Sequence, residues 1–407
     1  MRLHRNGLGV RFGLPASIVG AILVFSIISP ARFHLFGTPL GYGYGYGPTP
    51  TPFVADINPT NGPPAGGQTA VIDGNNFAAT VTVKFGGTPA TVVSHTATAI
   101  TVTTPASTEG IYNITVNNTG GGVWTKTNAY VYTNGVYTLD AFGGVHADGT
   151  SPAKTSGPYF ASQLARAVVL LPQGGGGFVL DGWGGIHPWG TGSISPVQPS
   201  GSAYFKGFDI ARDIVLTPTS NAAASSGYTL DGWGGIHPFG GAPAIAAGAP
   251  YFKGFDIAKK IVLLPDVSGG YLLDGWGGIH PFATGSNSKP AAMLNFGYFK
   301  GFNIARDFQL LPGATATAAA GFTLDGYGGM HPTSTAAGNR PVTPTDRPYW
   351  GWDIGRALRF SPGTPGSNPQ GWILDGWGGI HEVNDSPELA PFAYWNGRDI
   401  AKGMDLN

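Results

Sequence analysis

The 407-residue sequence predicts an all-β protein: a small β-sandwich followed by a closed six-bladed β-propeller, with the C-terminal strand completing the first blade. Three observations predict this. Gly (67) and Pro (34) make up about a quarter of the chain, which disfavours long helices and favours short strands joined by tight turns. Residues 53–133 alternate β-branched and polar positions with the period of two of half-buried strands. One phrase then recurs six times, with a spacing of about 45 residues, the period of a four-stranded propeller blade.

The chain opens with a delivery segment. Arg2, His4, Arg5 and Arg11 precede an apolar stretch from Leu14 to Ser29, and Ser29-Pro30-Ala31 supplies small residues for cleavage. Residues 1–31 therefore read as a signal peptide or an N-terminal anchor, since the stretch falls short of the ~20 apolar residues of a membrane span. Residues 32–52 read as a linker, flexible over Gly41–Gly47 and extended over Pro48–Pro52. The expected location of the rest is extracellular or at the cell surface, with membrane contact only through an uncleaved leader.

In the sandwich, Val81–Phe85, Ala99–Thr103 and Tyr112–Val116 alternate strictly. Ile57-Asn-Pro59, Gly62-Pro-Pro-Ala-Gly-Gly67, Val71-Ile-Asp-Gly74, Asn76-Phe77, Val83-Lys-Phe-Gly-Gly87 and Gly110-Ile-Tyr-Asn-Ile-Thr-Val116 resemble the immunoglobulin-like IPT/TIG domain over the whole of 53–133. The resemblance implies a spacer or binding module of the kind found in bacterial surface proteins and polysaccharide-acting enzymes. His95 stands apart from other polar residues and reads as a surface or edge position.

Residues 134–407 are the repeat array. The phrase runs from an aromatic residue through Leu-Asp-Gly-Trp-Gly-Gly to a His. Its Asp residues are Asp140, Asp181, Asp231, Asp274, Asp325 and Asp375. A second phrase, clearest at Tyr204-Phe-Lys-Gly-Phe-Asp-Ile-Ala211, alternates with it. Each unit predicts four strands: around Asp274 they are Ile261–Leu264, Gly270–Asp274, Gly278–Phe282 and Gly297–Phe299. The units resemble bacterial propeller repeats built on a Gly-Tyr strand and a Gly-Gly turn. The array begins with a second strand at Val136 and reaches a first strand at 399–406, so a ring would join the two and remove exposed edges.

The Asp and His of each phrase lie six residues apart around a Gly-Trp-Gly-Gly tip. Asp181 and His187, Asp231 and His237, Asp274 and His280, Asp325 and His331, and Asp375 and His381 are expected to face each other across the hairpin and lock it. Regular repetition favours this structural role over catalysis, which needs one asymmetric site. One Asp and one His per blade supply too few ligands for zinc, so no metal site is expected. The acid-then-base pattern of the second phrase, Asp209 and Arg212 for example, reads as a capping turn that ties blades together.

The tips supply the ligand-binding candidates: Trp183, Trp233, Trp276, Tyr327 and Trp377. Indole faces stack on sugar rings, and one shallow site per blade gives avidity for a polymer. The competing role is as wedges between blades. Charged residues are 11% of the chain, with 22 basic and 22 acidic side chains, so the basic patch that nucleic acid requires is missing. Cys is absent, and with it any disulfide framework. No cofactor is expected.

Three functions fit this reading. One is an exported, non-catalytic binding protein for cell-wall or extracellular polysaccharide or for a surface protein. The second is a secreted polysaccharide-acting enzyme, with Glu382, Asp385 and Glu388 as the acidic departure from the repeat. The third is a structural envelope component.

Overall fold

The computed structural model describes residues 51–406 other than 134, 363, 390 and 391; the expected leader and most of the expected linker lie outside the described residues. Among the described residues all regular structure is strand except a 3-10 turn at Ala337–Asn339.

The first domain is a two-sheet sandwich. One sheet has the order Phe53–Asn58, Thr69–Asn75, Ala99–Thr103, Thr91–His95, and the other Asn61–Gly62, Val123–Tyr132, Gly110–Asn118, Val81–Phe85, Thr88–Pro89. Alternation places one face of each strand inside: Val81, Val83 and Phe85 are buried while Thr82 and Lys84 are exposed. They meet Ile72, Ile100, Val102, Ile114 and Val116 in one core. Each such side chain contributes roughly 1.5–3 kcal/mol when fully buried. His95 ends the edge strand Thr91–His95, half-buried.

Residues 136–406 form six antiparallel sheets, numbered here one to six. The first strands are Ala401–Leu406, Ala165–Leu170, Ala211–Leu216, Ala258–Leu263, Ala305–Leu310 and Gly355–Phe360. The second strands are Val136–Asp140, Gly176–Asp181, Gly227–Asp231, Gly269–Asp274, Ala320–Asp325 and Gly371–Asp375. The third strands are Val145–Asp148, Ile186–Thr191, Ile236–Phe239, Ile279–Ala283, Met330–Ser334 and Ile380–Val383. In sheet one the pairing joins distant parts of the chain: Val136 lies opposite Leu406, and Asp140 opposite Ala401. Successive first strands are neighbours, and Ala401–Leu406 lies beside both Gly355–Phe360 and Ala165–Leu170.

The second strands are buried on both faces. Their aromatics, Tyr137, Phe178, Tyr228, Tyr271, Phe322 and Trp372, have no exposed surface. Where such a ring carries a polar tip, the loop beyond the third strand satisfies it. The Tyr228 hydroxyl donates to Pro243 O and that of Tyr271 to Ala291 O, both at 2.8 Å, and the Trp372 indole N–H donates to Pro387 O at 2.9 Å. The Gly before the aromatic has a steric reason: a Cβ on Gly177 would sit 2.0 Å from Val169 O on the first strand.

The expected fourth strand is corrected. Residues 297–299 are not a strand. Among the described residues five sheets have three strands, and only sheet two gains a fourth, Lys154–Ser156, paired outside Ile186–Thr191. That segment precedes the first strand of its sheet, so the outermost position is filled by chain arriving from the sheet before. Isolated bridges Ile245 to Thr284 and Leu294 to Ser334 repeat this crossing in sheets four and five. The Ala-, Gly- and Pro-rich composition of these segments limits the pairing to single bridges.

The sandwich packs directly on the sheets. Val131 and Ile111 share a core with Val136, Ala357, Trp372, Leu374 and Met404. The Thr150 hydroxyl donates to Asn61 O at 2.7 Å, and the Thr60 hydroxyl donates to Glu388 O. A detached spacer would show none of these contacts.

Candidate functional site

Each hairpin tip is built around its Asp. In sheet two, Asp181 Oδ1 accepts the N–H groups of Trp183 at 2.8 Å and Gly185 at 2.9 Å, and Oδ2 lies 2.8 Å from His187 Nε2. The other repeats share this geometry: the Asp140–His146, Asp231–His237, Asp274–His280, Asp325–His331 and Asp375–His381 contacts are all 2.8 Å. The register differs from direct opposition. His187 pairs with Val179, so Asp181 reaches it diagonally from the end of its strand. Burial pushes the Asp181 carboxyl up, but the hydrogen bonds from His187, Gly185 and Trp183 outweigh it and hold the group below its usual range. The same balance lowers Asp140 and Asp325.

The second phrase lies over the tips. Phe205 N–H donates to Trp183 O of sheet two, and the chain then turns into the first strand of sheet three. Phe205 meets His237 of sheet three edge-on, with ring centres 5.4 Å apart. Phe160 on His187, Phe252 on His280, Phe299 on His331, Trp350 on His381 and Trp395 on His146 repeat the arrangement. The wedge between neighbouring sheets is therefore this second-phrase aromatic and not the tip residue.

Trp183, Trp233, Trp276, Tyr327 and Trp377 are all half-buried. The exposed aromatics stand beside them. Tyr204 is 53% and Phe208 50% exposed, and Tyr251, Phe255, Tyr298, Phe302, Tyr349, Trp352 and Tyr394 are exposed at the corresponding positions. Phe208 lies 5.9 Å from Trp233, Phe255 5.6 Å from Trp276, and Trp352 6.3 Å from Trp377, between ring centres. Trp233, Trp276 and Trp377 thus each lie against a more exposed ring, whereas the matching position for Trp183 is Ser162.

Toward the centre of the same face, Asp and Arg tie consecutive sheets. Arg166 Nε donates to Asp209 Oδ1 at 3.0 Å and Arg212 Nε to Asp256 Oδ1 at 3.0 Å. Arg306 Nε donates to Asp353 Oδ1 and Arg356 Nε to Asp399 Oδ1, both at 3.1 Å. In each pair Nη2 also donates to Oδ2, giving a two-pronged contact.

The channel between the first strands is where the repeats differ. Their third residues are Ala167, Asp213, Lys260, Asp307, Ala357 and Gly403. Lys260 Nζ lies 3.1 Å from Asp213 Oδ1, while Arg359 donates to Asp307 and Asp405 at 2.8 Å each. Burial raises the Asp213 carboxyl. Below this layer the channel widens into a cavity of about 480 Å³, lined by Leu170, Leu216, Leu263, Leu310, Phe360 and Leu406, with Lys260, Gln309, Arg359 and Asp405 at its floor. Reading the repeats as one consensus phrase hides these positions. Aligning the first strands residue by residue is the sequence signal that exposes them.

The acidic departure does not converge. Glu382 is half-buried on a third strand and opposite Trp372, while Asp385 and Glu388 are exposed. None of the three lines either channel cavity. Among the described residues no group of three or more His, Cys, Asp or Glu could hold a metal ion, and no helix is long and apolar enough to cross a membrane.

The fold defines an all-β protein with an immunoglobulin-like first domain, and residues 52–132 match the IPT/TIG domain family. No curated protein matches the chain. Similar solved structures include an auxiliary nutrient binding protein from Bacteroides thetaiotaomicron, with 10% identity, 83% of this chain and 98% of that chain covered, and a TM-score of 0.30. One from Bacteroides ovatus has 13% identity, the same coverage and a TM-score of 0.30. A putative phosphatase from Bacteroides thetaiotaomicron has 14% identity, 85% of each chain covered and a TM-score of 0.28. Scores of this size fall short of a shared fold, so these proteins bear on neither the architecture nor the activity of this one.

Proposed function

We propose that this is an exported, non-catalytic binding protein. In this reading residues 1–31 deliver the chain, 32–52 link it, the IPT/TIG domain of 53–133 braces a closed six-bladed propeller of 134–407, and the propeller carries the ligand face. The observation that supports it is the repeated exposed aromatic pair around one face, Tyr204 with Phe208 and Tyr251 with Phe255 among them. Large apolar rings exposed at equivalent positions in successive repeats are costly to solubility unless a ligand covers them. A polymer with a sugar repeat fits: its C–H faces stack on flat rings, and a weak contact at each sheet sums to avidity.

The test is binding of the full chain to a panel of cell-wall and extracellular polysaccharides, beside a variant with Tyr204, Phe208, Tyr251 and Phe255 changed to Ser. The reading expects one polymer class to bind and the variant to lose at least tenfold in affinity with an unchanged melting temperature. Binding that is indifferent to the four changes, or no binding across the panel, overturns it.

A further inference from the structure

At the mouth of the channel, on the face that carries the exposed aromatics, six basic side chains line a small cavity of about 80 Å³: Arg166, Arg212, Lys259, Arg306, Arg356 and Lys402. They come from the second position of the six first strands, one per sheet. Four of them, the arginines, have a carboxylate from the next sheet. The two lysines do not: the residue that follows in the Asp position is Asn303 for Lys259 and Gln163 for Lys402. Among the described residues neither lysine has an ion pair, and the one acceptor of Lys402 is Asp399 O at 3.4 Å.

Base and partner change together. Where the partner is Asp the base is Arg, whose fork suits a carboxylate; where it is an amide the base is Lys, a point charge with three donors. The nearest carboxylates, Asp256 for Lys259 and Asp399 for Lys402, attract the lysines but are already held by the forks of Arg212 and Arg356, which leaves two partly buried cations without a contact ion pair. Desolvation accordingly lowers both Lys259 and Lys402 from the usual lysine range.

The remaining donors have an ordered layout. Arg212 places all five of its N–H groups on Asp209, Ala211 O and Asp256, and Arg356 does the same on Asp353, Gly355 O and Asp399. Arg166 and Arg306 each keep one N–H beyond their four bonded ones. Lys259 and Lys402 lie three sheets apart, as do Arg166 and Arg306, so the four side chains with spare donors come to the cavity lining from four different sheets. The carboxylates beneath, Asp213 and Asp307, are occupied by Lys260 and Arg359.

We propose that this mouth binds a tetrahedral oxyanion, phosphate or sulfate, either as the free ion or as an ester group on a larger ligand. The cavity suits a group of that size and excludes a sugar ring. The site shares that face with the exposed aromatic pairs, uses none of them, and does not depend on their role.

The test uses the full chain and inorganic phosphate and sulfate, titrated calorimetrically against chloride at equal ionic strength. Saturable binding of phosphate or sulfate is expected, with at least a tenfold loss in the double variant Lys259→Gln, Lys402→Gln and none in Lys206→Gln, which changes an exposed lysine outside the ring. Asn303→Asp guards against misfolding of the double variant: it supplies the carboxylate found in four other repeats, and is expected to retain the melting temperature while weakening the anion severalfold. A sulfated polysaccharide and its desulfated form separate the two sources; preference for the sulfated form, competed by inorganic sulfate, identifies the ester, and indifference identifies the free ion. Phosphate and sulfate that bind no better than chloride, or equally well to the parent and to both the double variant and Asn303→Asp, overturn the proposal.

Discussion

Arg212 and Asp256 belong to different sheets, yet the Arg212 Nε–H donates to Asp256 Oδ1 at 3.0 Å while Nη2 reaches Oδ2. The pair is a two-pronged staple, with Asp256 nearly half exposed. Solvent screening keeps its value to about 0.5–1 kcal/mol. A double-mutant cycle with Arg212→Lys and Asp256→Asn is expected to show a coupling of that size by urea unfolding. The double variant reproduces the Lys and Asn found naturally at 259 and 303, so it is expected to retain the native fold.

Asp181 and His187 are unequal partners. Removing the carboxylate leaves the half-buried turn N–H groups of Trp183 and Gly185 without their acceptor, whereas removing the imidazole leaves Asp181 bonded to both. Asp181→Ala is expected to cost about 2–4 kcal/mol and His187→Ala about 1–2 kcal/mol. Chemical denaturation of the two variants checks the order; a larger loss for His187→Ala contradicts the assignment of Asp181 as the centre of the turn.

Acid sensitivity follows from the same group. Asp140, Asp181 and Asp325 have native pKa values below their unfolded ones. Their contribution is fully present above the unfolded value of about 4 and is lost as pH falls through the native values. The melting temperature is expected to fall steeply below about pH 4, and the fall to shrink in an Asp181→Asn variant.

Asp148 carries the opposite sign. Burial pushes its carboxyl up to about 6, against hydrogen bonds from Thr138 and from Ala393 N–H. A raised acid favours the native state below its unfolded pKa of about 4 and loses that contribution as pH rises through about 6. Asp148→Asn is therefore expected to gain stability relative to the parent between about pH 4 and 7, by up to about 3 kcal/mol from the two-unit shift. Parallel melting curves across that range measure it.

Phe205 and Tyr204 are adjacent but face different surroundings. Phe205 packs on His237 between two sheets, and Tyr204 is 53% exposed. Phe205→Ala is expected to lower stability by about 2–3 kcal/mol, in proportion to its partial burial. Tyr204→Ala is expected to stay within about 0.5 kcal/mol, as surface changes do. Differential scanning calorimetry distinguishes them.

Local sequence carries much of this architecture, for identifiable reasons. Period-two alternation in Val81–Phe85 reports which face is buried, and the six-residue interval from Asp181 to His187 reports a tight hairpin. Register is a weaker signal. The diagonal approach of Asp181 depends on a turn in which its own carboxylate takes two backbone N–H groups, so direct opposition, the simpler expectation, is one step off. The fourth strand leaves an equally weak signal, because Lys154–Ser156 pairs with a sheet whose first strand has not yet begun in the chain. Aromatic identity also conceals role: Phe205 and Phe208 lie three positions apart, yet Phe205 is half-buried against His237 of the neighbouring sheet while Phe208 is 50% exposed. The channel charges at 213, 260, 307 and 359 depart from the repeat phrase, so a consensus view averages them away.

Sheet one sets the order of events during synthesis. Its second strand, Val136–Asp140, is made first among the strands of sheets one to six, but its partner Ala401–Leu406 is made only after the other five of these sheets. Those five sheets are local hairpins that can form as they appear; the sixth join has high contact order and must wait. Until then, Val136–Asp140, paired on one side with Val145–Asp148, leaves its other edge open, and an open strand edge can recruit other chains. The join between Val136–Asp140 and Ala401–Leu406 is thus the one sheet contact of the repeat array, among the described residues, that local folding cannot supply.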